Sequence, residues 1–337
     1  MKINWRPYQL ELKYPFTISG FSRTATPLIL LEVEYEGLIG LGEASMVPYL
    51  GENLETASAF LSKVDLSWLN YPFDFDELIN YLDSIADGNP AVKAAIDIAL
   101  HDLQGKIENR PCHTFFGSKQ ENMPLTSQTI GMDTSEMIRK KVLEARGCKI
   151  IKVKVGSEKD KELVETIRSV TDKPLFADAN QGWKDLGMAK EMTHWLYEKG
   201  VLLIEQPMPK HNPDANARVM EQSPIPIIGD EAVQRLRDVK KAKGVYHGIN
   251  IKLMKSAGMH EAFQMIQKAR ELDMKVLIGC MSETSIATLA GAALAPLCAW
   301  ADLDGPFLTK NNPYTNPGFE NGKYVLKDSP GLGVEVL

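Results

Sequence analysis

The chain has 337 residues, 44% hydrophobic and 24% charged, an ordinary globular composition in a chain too long for one minimal core. A net charge of -6 supplies no broad basic field and argues against nucleic acid as a partner, although a bound cation and a few lysines can still build a local anion site. Four scattered cysteines, Cys112, Cys148, Cys280 and Cys298, form no C-x-x-C pair for zinc and read as reduced thiols of a cytoplasmic protein; Met1–Pro7 shows no apolar secretory stretch.

The first hundred residues differ from the rest. Ile29–Tyr35 reads as a strand, Glu36-Gly37 as a turn, and Leu38–Glu43 as the returning strand. Asn89-Pro90 predicts a helix start, with Asn89 as N-cap and Pro90 in the first helical position. Val92, Ile96, Ala99 and Leu103 share one face, and Gly105 is expected to stop the helix. A meander followed by helices indicates an α+β unit.

From Pro124 the pattern becomes periodic. Apolar, β-branched runs at Pro124–Ile130, Ile150–Val155, Pro174–Asn180, Leu202–Pro207, Ile225–Glu231, Gly248–Leu253, Lys275–Cys280 and Trp300–Gly305 read as strands, each followed by a segment of helix length. Such strand-plus-helix units predict a parallel sheet with covered faces, closed as an α/β barrel. Thr284–Ala301 carries no charge, but its small residues and Pro296 suit a buried helix better than a membrane span. The turn-rich tail after Gly305 is expected to fold back on the N-terminal unit.

Buried parallel strands should be apolar throughout, yet nearly every one here carries charge near its C-terminal end, where barrels build their active sites. Asp178, Glu205 and Asp230 fall on three successive strands. One such acid alone would pass for a helix cap; three in consecutive units suggest a hard divalent cation, Mg²⁺ with Mn²⁺ as the alternative. The period-2 alternation places Lys152 and Lys154 on one face, inside the barrel, where two like charges should lower a pKa and free an amine to act as a base. Lys252 has the same inward geometry four strands later, across the ring from that pair. Asp302 and Asp304 repeat the alternation on the last strand, too far along the ring to be ideal ligands of the same metal; they could hold a cationic group of a substrate, or belong to a solvated strand end. This set points to a metal that binds a substrate carboxylate and stabilises the enediolate formed when the α-proton leaves, with one lysine removing the proton and the other returning one to the opposite face.

These residues resemble the enolase superfamily, its muconate-lactonising subgroup, and within that the dipeptide epimerases. Lysine bases working with Mg²⁺ on an ene-diolate are the known chemistry of enolase-type sites. Lys152-Val153-Lys154, Asp178-Ala179-Asn180, Glu205-Gln206-Pro207, Asp230-Glu231, Asn250–Lys255, Gly279–Thr284 and Asp302-Leu303-Asp304 run in the family's order and spacing over almost the whole chain. The resemblance implies a modified (β/α) barrel (119–305) with an N-terminal α+β capping domain (1–118) completed by the C-terminal tail (306–337). It implies Mg²⁺ on Asp178, Glu205 and Asp230, acid/base roles for Lys154 and Lys252, and Lys152 polarising Lys154 and helping to bind the carboxylate. Asp302 and Asp304 would hold the α-ammonium of a dipeptide. Loops at Thr17–Thr26 and Met46–Glu52 would close the site and set specificity. Arg23 matches the arginine that contacts the glutamate side chain in Ala-Glu epimerases, and Thr129 matches a smaller substrate contact. The implied partner is a small dipeptide, with no nucleic acid and no membrane, and a homo-oligomer is left open. An o-succinylbenzoate synthase or N-acylamino-acid racemase would use the same lysines and metal, but its substrate has no ammonium for the paired aspartates. A Schiff-base aldolase using Lys252 would not need three convergent acids. A catalytically dead barrel acting as a binding protein would be marked by a lost ligand or base, and none is missing.

Overall fold

The computed structural model describes residues 1–18, 21–47 and 50–337. Alternating strand sequence first builds a three-stranded antiparallel sheet from β1 (Lys2–Ile18), β2 (Phe21–Tyr35) and β3 (Leu38–Ser45). Glu36 and Gly37 close the β2–β3 turn in left-handed conformations, φ 49° and 82°. The β1–β2 register shifts between Glu11 and Phe16, and beyond the shift Phe16 pairs with Arg23.

Three helices follow, α1 (Leu54–Leu61), α2 (Phe75–Ile85) and α3 (Pro90–Ile107). Helix α3 is buried nearly all round rather than on one face, Lys93, Asp97 and His101 included. It lies so close to β3 that a Cβ at Gly40 or Gly42 would stand 2.0 Å from Ala99 O or 1.9 Å from Ala95 O. Asn89 does not cap α3 as the Asn-Pro pair predicts: its backbone is left-handed (φ 60°) and its side chain makes no capping bond. Glu52 does so instead, accepting from the Ala91 N–H (2.9 Å) and the Val92 N–H (3.2 Å) and setting a carboxylate at the positive end of the helix dipole. Nor does Gly105 stop the helix, which runs on to Ile107. Its lack of a side chain admits the tail, because a Cβ there would lie 2.6 Å from Gly331 Cα.

The barrel strands are β4 (Ser127–Ile130), β5 (Ile150–Lys154), β6 (Leu175–Asp178), β7 (Val201–Glu205), β8 (Ile227–Gly229), β9 (Gly248–Lys252), β10 (Lys275–Gly279) and β11 (Trp300–Asp302). They form one parallel sheet in chain order. Helices α4 (Ser135–Glu144), α5 (Asp160–Arg168), α6 (Leu186–Glu198), α7 (Pro213–Gln222), α8 (Leu236–Ala242), α9 (Met259–Glu271) and α10 (Ser285–Leu294) alternate with them. The ring closes at the β11–β4 seam through a parallel bridge between Thr126 and Ala301, reinforced by the Leu303 N–H donating to Thr126 Oγ1 (2.8 Å). Inward positions stack in two layers. Ile150, Phe176, Leu203, Ile228 and Leu277 form an apolar floor, and two residues further along four of those strands stand Lys152, Asp178, Glu205 and Asp230. Outward residues such as Ile151, Val153, Ile204, Ile249 and Ile251 join the large core beneath the helices.

After β11 the strict alternation ends. A single helical turn, α11 (Gly305–Leu308), leads to a small hairpin, β12 (Phe319–Glu320) and β13 (Lys323–Tyr324). The tail then returns to the N-terminal unit as expected: the Lys310 N–H donates to Glu11 O, Gly331 exchanges backbone bonds with Arg110 and Cys112, and the Leu332 N–H donates to Asp102 Oδ1. The uncharged segment from Thr284 forms the buried helix α10, and no helix among the described residues is long and apolar enough to cross a membrane.

Candidate active site

The strand ends gather the charged layer into one cluster. Asp178, Glu205 and Asp230, each at most 1% exposed, bring one carboxylate oxygen apiece to within 4.8 Å of one another. Lysines surround them. Lys154 Nζ donates to Asp178 Oδ2 (2.6 Å) and Lys252 Nζ to Asp230 Oδ2 (2.7 Å). Lys152 Nζ donates to Glu205 Oε2 and Asp302 Oδ2, both at 2.7 Å, and lies 3.1 Å from Asp178 Oδ2. β5 and β9 are four places apart in the sheet, so Lys154 and Lys252 face a shared interior from opposite parts of the ring.

Charge balance explains the proton affinities. Burial works against the Asp178 carboxylate, but Lys154, Lys152 and Lys252 outweigh it and hold the group down to about 2. Burial also opposes ionised Asp230, and Lys252 and Lys255 overcome it to keep that group well below its ordinary value. Glu205 is pushed up to about 8, by burial first and by Asp178 next, because it must share the space with two ionised neighbours. Three oxygen-only donors so close together fit a hard divalent cation, whose two positive charges would let all three ionise together. Of the two neighbouring amines, Lys152 is not one whose pKa falls. Burial disfavours its ammonium, but Asp302, Glu205 and Asp178 prevail and raise it well above its ordinary value. The alternation places the two amines on one face, as read from the sequence, but it does not show the carboxylates that arrive from other strands.

A cavity of about 420 Å³ opens over this cluster, lined by Lys152, Lys154, Lys252, Asp302, Asp304, Thr129 and Arg23 among others. Asp302 Oδ1 accepts from Ser127 Oγ (2.6 Å), and Asp304 Oδ2 accepts from the Thr129 N–H (2.6 Å). Burial and then Asp302 push Asp304 up to about 6, so that a cationic group beside the pair would favour its ionised form. Arg23 reaches from β2 across to the barrel, where its Nη2 donates to Ser282 Oγ (2.9 Å), and its guanidinium lies 5.6 Å from the Phe16 ring centre. The residues expected at the site therefore meet in one region: seven of them line the cavity, and the acidic triad is bonded to the three lysines among those seven. Most of the segment expected as a closing loop at Thr17–Thr26 is paired strand, with Thr17 opposite Ser22. Ser19, Gly20, Pro48 and Tyr49, which belong to the two expected loops, lie outside the described residues.

Several functional neighbours escape sequence reasoning. Phe16 lines the cavity with its ring 5.6 Å from Lys154 Nζ, a contact between residues far apart in the chain. Lys255 Nζ donates to Asp230 Oδ1 (2.5 Å) and to the carbonyls of Asp230, Val233 and Asn250, locking that carboxylate from behind. Asn250 Nδ2 donates to Glu205 Oε1 (2.8 Å), and Gln206 Oε1 accepts from the Asp230 N–H (3.0 Å). Asn250 had a legible signal, because it shares the inward parity of Lys252 on β9. Gln206 and Lys255 lie beyond the strand ends, where alternation no longer predicts direction.

Residues 2–117 match the family described as mandelate racemase / muconate lactonizing enzyme, N-terminal domain, and residues 136–337 match the enolase C-terminal domain-like family. An L-Ala-D/L-Glu epimerase of Bacteroides thetaiotaomicron is 49% identical over 335 residues, covering 99% of this chain and 88% of that protein. The crystal structure of a dipeptide epimerase from Enterococcus faecalis, complexed with Mg and the dipeptide L-Leu-L-Tyr, superposes with a TM-score of 0.89 at 31% identity, covering 98% of each chain. That of an N-succinyl Arg/Lys racemase from Bacillus cereus superposes with a TM-score of 0.91 at 26% identity, covering 99% of this chain and 95% of that one.

Proposed function

The chain belongs to the mandelate racemase / muconate lactonizing enzyme family of the enolase superfamily, and from that premise we propose that it is a Mg²⁺-dependent dipeptide epimerase acting on L-Ala-D-Glu and L-Ala-L-Glu. The observation that carries this reading is the placement of Lys154 and Lys252 on opposing parts of one ring, both lining one cavity and each bonded to a carboxylate of the acidic triad.

Asp178, Glu205 and Asp230 would hold Mg²⁺, with Mn²⁺ as the alternative. When bound, the cation supplies positive charge against the negative charge that builds on the substrate carboxylate as the α-carbon loses its proton. The chain's own residues do the rest. Lys154 and Lys252 stand on either side of the α-carbon of the C-terminal residue; one takes its proton and the other delivers a proton to the opposite face, inverting that centre. Lys152, kept charged by its carboxylate neighbours, binds the substrate carboxylate and raises the local positive potential around Lys154. Asp302 and Asp304 receive the α-ammonium, Thr129 lies beside it through its bond to Asp304, and Arg23 pairs with the glutamate side chain. In this reading residues 1–118 and the returning tail 306–337 cap the barrel formed by 119–305.

The same lysines would serve an N-acylamino-acid racemase, whose fold this chain shares. The two buried aspartates weigh against that substrate, since an acylated nitrogen adds no positive charge to the single Lys152 ammonium beside them. The experiment is incubation of the protein with Mg²⁺ and a dipeptide library in D₂O, read by mass spectrometry. Deuterium should enter the C-terminal α-carbon of L-Ala-D-Glu and L-Ala-L-Glu. Absence of exchange with every dipeptide, together with exchange on N-acylamino acids, would overturn the assignment.

A further inference from the structure

Two buried oxygens beside the acidic triad have no hydrogen-bond donor among the described residues. Glu231 directly follows Asp230 and is 7% exposed; its Oε1 accepts from Asn180 Nδ2 (3.3 Å), while its Oε2 has no partner. Asn180, two residues beyond Asp178, donates its backbone N–H to Asp178 Oδ1 (2.9 Å), and its own side-chain Oδ1 is buried without a partner. The pair thus spans the loops after β6 and β8, tied to each other and to the neighbourhood of two triad carboxylates.

Gln206 shows what a structural amide does in the same region. Its Oε1 accepts from the Asp230 and Ala232 N–H groups, and its Nε2 donates to Met208 O and Tyr246 Oη. Both ends are used. Asn180 and Glu231 instead each leave an acceptor unspent, and a buried acceptor without a donor forfeits the bonds that water would have given it. Two together, next to three more acceptor groups, require a donor of another kind. Water held by a hard cation is such a donor, because Mg²⁺ keeps several waters and their O–H bonds point away from it. Direct ligation by Glu231 does not fit, since among the described residues only Asp178, Glu205 and Asp230 bring oxygens within 4.8 Å of one another.

We propose that Glu231 and Asn180 form an outer acceptor pair, binding water carried by the divalent cation at Asp178, Glu205 and Asp230 and so fixing the cation from a second side. This rests on the metal-site part of the proposed function, and it adds two residues that set cation affinity without touching the ion.

The test is calorimetric Mg²⁺ binding to the full chain without substrate, for the wild type, Glu231→Gln, Asn180→Gly and the double variant. Glycine suits position 180, whose φ is 42°. Each single change should weaken Mg²⁺ binding by about 10–100-fold, the range for partners that act through a metal's ligands. The double variant should lose much less than the product of the two, because both groups hold the same water. Thermal melting without Mg²⁺ confirms folding, and the Asn180→Gly arm decides the matter if Glu231→Gln does not fold. Unchanged Mg²⁺ affinity in the folded variants, or losses that simply multiply, would overturn the inference and leave the epimerase reading intact. A wild-type chain that binds no Mg²⁺ would overturn both; one that binds Mg²⁺ but exchanges no dipeptide proton overturns only the epimerase reading.

Discussion

Arg23 stands where the N-terminal sheet meets the barrel, with Ser282 on one side and the Phe16 ring on the other. A guanidinium held in this way is pre-oriented toward the cavity and presents a planar fork suited to a carboxylate. Replacing it, Arg23→Met, keeps much of the apolar stem and removes the charge. We expect kcat/KM for L-Ala-L-Glu to fall by on the order of 10–100-fold, the worth of one charge-assisted hydrogen bond, with a much smaller change for dipeptides ending in an apolar residue. Equal losses on acidic and apolar dipeptides would show that Arg23 supports the fold of the site rather than its preference. The three lysines of the cavity wall were readable because each sits on a strand with a two-residue period, whereas Arg23 and Thr129 were signalled only by the family resemblance. What could not be read was which acid neutralises which lysine. Lys152 reaches Glu205 and Asp302, carboxylates supplied by strands on either side of it around the ring, and only closure of the ring brings them together.

β3 and the loop after β10 are joined by buried polar contacts rather than by apolar packing alone. Glu43 accepts from the Thr284 N–H (2.9 Å) and from the Thr284 hydroxyl, and Ser45 Oγ donates to Ser282 O (2.7 Å). Burial pushes Glu43 up to about 7, against the opposing pull of the Thr284 bonds. The folded chain therefore binds this proton more tightly than the unfolded chain, where an ordinary glutamate titrates near 4.5. Its contribution to stability is complete below the unfolded value and is lost as pH rises through about 7, a loss on the order of 3 kcal/mol. Glu43→Gln, neutral at every pH, should flatten the decline in unfolding free energy between mildly acidic and mildly alkaline solution. Parallel profiles for variant and wild type, measured by denaturant titration across that range, would refute the role. Elements were legible wherever periodicity governs them, as all eight barrel strands show. Caps were less so. Asn89-Pro90 locates the start of α3 correctly, but the capping oxygens come from Glu52, 39 positions before Ala91, and no local pattern contains that distance. Gly105 likewise reads as a helix stop because a missing side chain is the usual mark of one; here the space is taken by Gly331.

At the scale of the whole molecule, the ring turns a linear spacing into a facing pair. Strands that follow one another at regular intervals must curve round, and the fifth and ninth strands of the chain then look across the same cavity. The polar layer above the apolar floor is legible from alternation; the tail's return to the N-terminal unit is legible only as turn-rich sequence, and its partners Glu11, Arg110 and Cys112 are set by tertiary contact. The central claim, that amines from opposing parts of the ring flank one carbon, can be measured directly. Lys154→Ala and Lys252→Ala, each with Mg²⁺ in D₂O, are given L-Ala-L-Glu and L-Ala-D-Glu separately, and loss of the glutamate α-proton is followed by NMR. Each variant should interconvert the epimers at least about 10²–10⁴-fold more slowly than the wild type. One variant should still exchange the α-proton of the L,L dipeptide alone, and the other that of the L,D dipeptide alone. Normal interconversion by either variant, or exchange of the same epimer by both, would contradict the account.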